Sequence, residues 1–449
     1  MTGFESLQDF GLPFWLDLPR PGFPTLEQDM TAEAVVIGSG VAGLKIARLL
    51  AQQGVQTIIL EGGQAGDGAS SRNQGTINHG PGLSYLQCID RYSREVAQQL
   101  WQLGLPNHQA IKDQITQYQI DCDYQVDGST TLVREDQPGW EEQLAADRQQ
   151  YELLQEDGFD VTFLDRQQAI ETGGSPACVG GLRYNTDAQL HSGKYVLGLA
   201  EKLVQSSPVT LFENARVTSI TRTGNRSLVK TANGTITTPL VFLSTNALVP
   251  QFIPDLQTAL RAERGQVLVT EPLAQRPCRG SFGTALAWWR EILEPDGRFR
   301  LLFGGGRERD EPDSLFPQYQ QDGQPHPLLE QEGFRPSLAH QQRLDSQLAL
   351  LFPQLAGAQI THRWGGLQSF TADYLPQAGL LDAERNIFGI AGFGGRGNCH
   401  SDVGAQFLIA RALKIETAFS KQFAALIESL LQVRREGANW GPWTSAYPQ

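Results

Sequence analysis

Basic residues are in deficit: the 449-residue chain carries 36 lysines and arginines against 49 aspartates and glutamates, a formal net charge of −13. Such an acidic balance argues against a nucleic-acid partner, which needs a basic face, and against docking on an anionic membrane. Long apolar runs are also missing. No stretch approaches the ~18 consecutive apolar residues of a membrane span. The N-terminal run MTGFESLQDFGLPFWLDL has acids early and no basic start before an apolar core, so it does not read as a secretory signal. Cysteine is scarce, with Cys88, Cys122, Cys178, Cys278 and Cys399 far apart and in no CxxC or Cys/His ligand spacing. Neither a disulfide framework nor a metal site is expected, and a reducing, cytoplasmic setting fits.

Glycine is plentiful, at 47 residues, and 40% of the chain is hydrophobic. That length and apolar content suit two closely associated domains. Residues 1–30, rich in Pro and Phe, read as an arm anchored by Phe14 and Trp15. The apolar run Ala34–Ile37 ends in glycines. Val41–Gln53 then has helical spacing, with Leu44, Ile46, Ala47 and Leu50 on the buried side, and Thr57–Leu60 is a second β-run. This is a βαβ unit. From Ser93 to Glu171 the chain reads as helical, with a strand at Ser129–Val133. Further on, a helix is expected at Lys194–Gln205 and strands at Val209–Phe212, Val217–Thr223, Ser227–Thr231 and Leu240–Ser244. Strands at Gly265–Thr270, Ala285–Arg290, Phe299–Phe303 and Asn386–Ala391 follow, then a helix over Ser401–Ala412.

Gly38-Ser39-Gly40-Val41-Ala42-Gly43 sits between the first strand and its helix. Gly38 allows the tight turn, Gly40 the approach of a pyrophosphate, and Gly43 the packing of helix on strand. The helix N-terminus then faces the anion. Glu61, ending the second strand, suits ribose hydroxyls, with Gly62 beside it. The motif by itself does not choose between FAD and NAD.

Three further stretches carry a resemblance. GDGASSRNQG (Gly66–Gly75), LVFLSTNAL (Leu240–Leu248) and NIFGIAGFGGRGNCHSDVGAQ (Asn386–Gln406) resemble segments of the D-amino-acid-oxidase-like flavoenzymes, above all the γ-glutamylputrescine oxidase branch. The resemblance implies non-covalent FAD. It places Ala69, Ser70, Ser71, Arg72, Asn73 and Gln74 along the pyrophosphate and flavin ring, Gln74 standing where the family usually has glycine. It places Val217 at the adenine, Ser244, Thr245 and Asn246 over the dinucleotide, and Trp364 and Gly366 near the flavin. Gly392, Gly394, Gly395, Arg396, Gly397 and Asn398 form the late flavin loop, where a helix dipole stabilises reduced flavin. Arg396 replaces a histidine of the family; facing inward it would raise the flavin's potential, facing outward it is a loop charge.

The fold class so implied is α/β (α+β overall): a Rossmann-type FAD-binding domain with a second, antiparallel-sheet substrate domain. The expected division is 1–92, 181–255 and 356–449 for the first and 93–180 and 256–355 for the second. QLHSGKYVLGLA (Gln189–Ala200), RGQVLVTEPL (Arg264–Leu273) and WWREILEPDGRFRLLFGGG (Trp288–Gly306) also resemble the branch. In HRWGGLQSFTADYLP (His362–Pro376), the arginine with which amino-acid oxidases of the family clamp a substrate carboxylate is replaced by Gln368, and the lysine of the sarcosine-oxidase branch falls at Cys399. An amine or N-substituted amino compound is therefore expected as substrate, oxidised by hydride transfer to flavin N5, with oxygen or a quinone-type carrier as electron acceptor.

Pocket candidates are His79, Trp289, Arg290, Gln368 and Arg396, with Trp288 and Tyr374 as further walls. The competing account of the aromatics is ordinary packing. Arg290 either meets a distal carboxylate or pairs with a neighbouring acid, and His191 is a helix leader or a base. Two other functions stay open: an amino-acid oxidase or dehydrogenase clamping its substrate with Arg290 or Arg396, and a non-catalytic flavin-binding regulatory or assembly protein.

Overall fold

The computed structural model describes residues 10–305 and 333–417, with 419, 421–423, 426 and 433 beyond them. The start of the N-terminal arm, part of the expected substrate segment (306–332, including Gly306) and most of the chain after 417 lie outside the described residues.

Ala34–Ile37 and Thr57–Leu60 are buried at every position, as fits parallel strands covered on both faces. They belong to a six-stranded sheet in the order Gln377–Asp382, Ile387–Ala391, Val241–Leu243, Ala34–Ile37, Thr57–Leu60, Val209–Phe212. All pairs in it are parallel except the first. The helix Val41–Gln52 returns along this sheet and stops before Gly54, whose φ of 75° suits glycine after a helix end. A helix at Ser192–Ser206 is led by His191, whose ring nitrogen accepts the Lys194 N–H at 3.2 Å. His191 is thus the helix leader.

The second sheet has eight strands, in the order Ile360–Phe370, Arg261–Thr270, Phe299–Gly305, Ala287–Leu293, Ser281–Gly283, Ser129–Arg134, Cys178–Tyr184, Val161–Leu164. Only Ser281–Gly283 and Ser129–Arg134 run parallel. Its membership departs from the expected division twice. Cys178–Tyr184 spans the boundary at 181 and pairs wholly within this sheet. Ile360–Phe370, expected on the dinucleotide side, pairs along Arg261–Thr270. The helix Gly104–Tyr118 packs against Arg94–Gln102, Ser192–Ser206 and Gly397–Leu413, whereas Trp140–Glu156 and Arg166–Gly173 pack on the strands Cys178–Tyr184 and Val161–Leu164 of the large sheet. A small four-stranded sheet contains Ser219–Thr223, so the strand expected from Val217 starts two residues later. Among the described residues no helix is long and apolar enough to cross a membrane.

Candidate active site

Two glycine loops leave the same edge of the parallel sheet. One follows Ala34–Ile37 and the other Ile387–Ala391, strands separated only by Val241–Leu243. The C-terminal edge of such a sheet is where ligands bind in open α/β folds. A side chain on Gly43 is impossible: its Cβ would lie 2.0 Å from the Gly38 carbonyl oxygen and 2.6 Å from Ser244 Oγ. A Cβ on Gly40 would meet Ser70 Oγ at 3.0 Å. Ser244 donates to the Ile37 and Gly38 carbonyls at 2.8 and 3.0 Å, tying the third strand's end to the glycine turn. Glu61 accepts from the Ser39 N–H and hydroxyl at 2.9 and 2.7 Å and from the Gly63 N–H at 3.0 Å. This holds its carboxylate at the strand end. Val217 is buried nearby, and the exposed Arg216, unnoticed in the sequence, brings its guanidinium to 3.4 Å from where a Gly62 side chain would be.

The loop after the βαβ unit is knitted by its own side chains. Ser70 Oγ accepts the Val41 N–H at 2.9 Å. Asn73 donates to the Ala69 and Ser70 carbonyls and accepts from the Gly75 N–H and from Ser192 Oγ at 2.8 Å. Arg72 donates to the Asp67 carbonyl at 2.7 Å and the Gly365 carbonyl at 3.1 Å, and burial pulls its guanidinium down to about 10. Gln74 reaches across two strands of the large sheet, donating to the Phe282 and Trp289 carbonyls at 3.2 and 3.0 Å. Trp364 is fully buried and donates to the Arg72 carbonyl at 3.0 Å, while Gly366 lies under Arg72. Ser71 Oγ, Thr245 Oγ1 and Asn246 Oδ1 are buried without a partner among the described residues. Polar atoms left so at a dinucleotide cradle fit a polar cofactor, which would satisfy them.

In the late loop Gly392, Gly394 and Gly395 all have positive φ, and Arg396 precedes the helix Gly397–Leu413. That helix begins four residues earlier than expected. Asn398 reaches the Thr76 carbonyl at 3.4 Å and accepts Asn107 Nδ2 on its own carbonyl at 2.6 Å.

A cavity of about 670 Å³ lies between these loops, the face of the large sheet and the helix Trp140–Glu156. Ala69, Arg72, Asn73, Gln74, Gly366, Gly394, Gly395 and Arg396 line one end. Gln368, Tyr374, Trp288 and His79 are also on its walls. Two candidates are not. Trp289 is fully buried, donates to the Gly173 carbonyl at 3.0 Å and packs among Phe282, Phe303 and Phe352. Strand alternation puts its neighbour Trp288 on the cavity side instead. Arg290 is no carboxylate clamp: it is buried and donates to the carbonyls of Gln74, Gly75, Leu190 and Glu291 at 2.9–3.4 Å. Burial pulls it down to about 10.

His79 pairs its Nδ1 with Asp187, a residue the sequence reading passed over. The Asp187 carboxylate also accepts from the His79 N–H at 3.0 Å, Asn78 Nδ2 at 3.2 Å and the Ser129 hydroxyl; burial would raise it, but the His79 and His108 rings and the Ser129 hydroxyl hold it below the usual carboxylate range. His108 stacks on His79 with centroids 4.3 Å apart, and burial pulls it down to about 4. Ligand-type atoms of His79, His108 and Asp187 lie within 4.8 Å of one another. Asp187 is occupied by the donors just named, and His108 joins the group by stacking on His79. Cys399 and His400 are buried at the start of the last helix, where Cys399 Sγ accepts the Asn78 N–H.

A parallel dinucleotide sheet with its cradle turned toward a second, mostly antiparallel sheet defines a two-domain flavoenzyme. Residues 33–411 match the family of FAD dependent oxidoreductases designated DAO, and the chain belongs to that family. FAD is its cofactor. The chain is 27% identical over 423 residues to the gamma-glutamylputrescine oxidoreductase of Escherichia coli (strain K12), covering 90% of this chain and 88% of that protein. It is 25% identical over 389 residues to the probable oxidoreductase OrdL of Haemophilus influenzae, covering 84% and 81%. Among solved structures, glycine oxidase from Geobacillus kaustophilus superposes with a TM-score of 0.70 at 19% identity, over 90% of this chain and 99% of that one. L-proline dehydrogenase from P. horikoshii gives 0.68 at 18% identity, over 90% and 100%.

Proposed function

We infer that the enzyme oxidises a C–N bond of an amine or an N-substituted amino compound to an imine, which water hydrolyses to a carbonyl product and an amine. The carrying observation is Gln368 on the cavity wall, where amino-acid oxidases of the family place a carboxylate-binding arginine. A glutamine cannot neutralise a desolvated carboxylate. The aromatic faces of Trp288 and Tyr374 suit a cationic or neutral amine, at ~0.5–2 kcal/mol per cation–π contact. The name of the Escherichia coli relative supports an amine substrate.

Bound FAD supplies the chemistry, taking two electrons and a hydrogen from the substrate carbon as hydride. The chain's part is to hold and enclose. The glycine turn at 38–43, Glu61, the 66–75 loop, residues 244–246 and the 392–398 loop would grip the dinucleotide. The helix starting at Gly397 presents its positive end to the cavity. The sheet face and Tyr374 shield the site from water and orient the amine, which reacts once it has lost its ammonium proton. Oxygen or a quinone-type carrier would take the electrons onward.

A second reading, an α-amino acid held by Arg396, draws on that arginine lining the same cavity. Anaerobic bleaching of the flavin by a panel of amines and of D- and L-amino acids separates the two. Bleaching by amines is expected. Bleaching by α-amino acids alone rejects the amine reading, and a flavin that photoreduces but is bleached by no substrate of either class rejects both.

A further inference from the structure

A second, smaller cavity of about 210 Å³ lies against Val161–Leu164, the edge strand of the large sheet. At its outer rim Leu105, Gly158 and Asp160 are exposed to solvent. Further in, Phe159 and Val161 give it apolar walls. Its inner end is formed by His79, Trp101 and Tyr184, and the same three residues line the main cavity. Only these side chains separate the two spaces. They stand at the cofactor end. Asn78 donates its N–H to Cys399 Sγ at 3.3 Å and Asn398 donates to the Thr76 carbonyl at 3.4 Å, so the segment leading to His79 is stitched to the helix behind the late flavin loop.

Two rings of this partition rest on glycines. A Cβ on Gly80, whose φ is 71°, would lie 2.7 Å from Trp101 Cε2 and Cζ2, and one on Gly104 would lie 3.2 Å from His79 Cδ2. The two rings are held differently. His79 is fixed through Nδ1 by Asp187. The Trp101 indole Nε1 is buried with no hydrogen-bond partner among the described residues, and its ring is held by packing, including an edge contact with Tyr85 at 5.0 Å between centroids. It can swing without breaking a hydrogen bond, whereas His79 cannot. Trp101 is the movable part and His79 the fixed post.

We propose that the second cavity is a passage by which dioxygen reaches the cofactor end of the main cavity, with the Trp101 indole as its gate. A substrate or product filling the main cavity blocks that route to any electron acceptor, and the passage bypasses it. Its apolar walls disfavour charged and strongly hydrated species. Its volume, under a third of the main cavity's, excludes the ring and tail of a quinone-type carrier. Dioxygen is small and uncharged. Each molecule arriving there takes up the two electrons drawn from one substrate molecule, together with two protons, and leaves as hydrogen peroxide. The passage goes beyond the amine reading and requires only that the flavin be reduced.

The test uses the flavin-loaded enzyme with its flavin reduced by light in the absence of oxygen, so that no substrate is needed. Leu105→Trp and Thr186→Trp each add a ring at the exposed rim, at positions that line the second cavity and not the main one. On mixing with oxygenated buffer, flavin absorbance should return roughly tenfold more slowly in each variant than in wild type, a barrier raised by about 1.4 kcal/mol. Anaerobic bleaching of the oxidised flavin by an amine should keep its wild-type rate, and retained flavin absorbance reports folding. Xenon gives a readout independent of turnover: in wild-type crystals under xenon pressure it should occupy the space between Trp101, Phe159 and Val161, as it does other apolar cavities. An unchanged return of absorbance in either variant, a fall in amine bleaching as large as the fall in reoxidation, a wild-type flavin that dioxygen does not reoxidise, or a cavity that stays empty under xenon overturns the passage. Failure of every amine to bleach the flavin overturns the amine reading alone.

Discussion

Lys45 Nζ and Asp402 Oδ2 meet at 2.5 Å, and neither side chain has any exposed surface. Lys45 is on the helix that follows the glycine turn, and Asp402 is on the helix that follows the late flavin loop. Ser401 Oγ accepts from Lys45 at 2.8 Å. Gln114 donates to Asp402 at 2.8 Å and itself accepts the Tyr195 hydroxyl at 2.7 Å. Burial draws the Lys45 ammonium below its ordinary value, and Asp402 opposes that. The pair fixes the two cofactor helices to each other. Lys45→Met leaves the buried carboxylate with only the more distant Arg48, at 3.5 Å, as its cation, a loss of up to about 3 kcal/mol. A lower thermal midpoint together with reduced FAD retention through gel filtration is expected; an unchanged midpoint would refute the coupling.

Gly43→Ala puts a methyl group into the Gly38 carbonyl, a backbone atom that cannot rotate away. The helix must lift from the strand, and the pyrophosphate site opens with it. The variant is expected to purify with little or no flavin colour. Reconstitution with excess FAD, followed by absorbance, measures the loss of affinity.

Asp147 gives a pH signature. Its carboxyl is pushed up to about 7 from 3.8 by burial, so between those values the folded chain holds a proton that the unfolded chain has released. Stability from this group is intact at low pH and falls as pH rises through that window. Asp147→Asn removes the dependence. Without substrate, the variant should unfold at a higher temperature than wild type at pH 8, and the gap should close toward pH 4.

Arg290→Met tests a scaffold role against a substrate role. Its guanidinium serves buried carbonyls of the flavin loop and of the segment before the helix Ser192–Ser206. Each deserted carbonyl costs about 1–3 kcal/mol. A large fall in folded yield and thermal midpoint is expected. A normally stable variant with only a raised KM would restore the clamp.

The βαβ unit and both glycine loops are legible because there the backbone constrains residue identity: only glycine fits at Gly43, and the small residues of 66–75 follow from close packing. Other features depend on partners remote in sequence. Lys45 breaks an apolar helix face and reads as solvated until Asp402 is brought to it. The Trp288–Trp289 pair shows a strand but not its phase, since both neighbours are equally apolar. The segment Ile360–Phe370 carries motif residues that touch the flavin loop, yet it hydrogen-bonds within the other sheet. Nearness to the cofactor does not decide sheet membership. Arg134 and Asp147 look like ordinary surface charges, and only the packing of a helix across a strand end buries them.

Trp15, in the arm before the first strand, donates its indole N–H to the Asn73 carbonyl at 2.7 Å, and a side chain on Gly193 would lie 1.8 Å from the Trp15 carbonyl oxygen. The loop expected to lie on the flavin is therefore latched from outside by a segment that belongs to no sheet. A fragment trimmed to begin at Ala34 would keep every strand of the six-stranded sheet and lose that latch, so grip on the cofactor is a property of the whole chain and not of its recognisable domain.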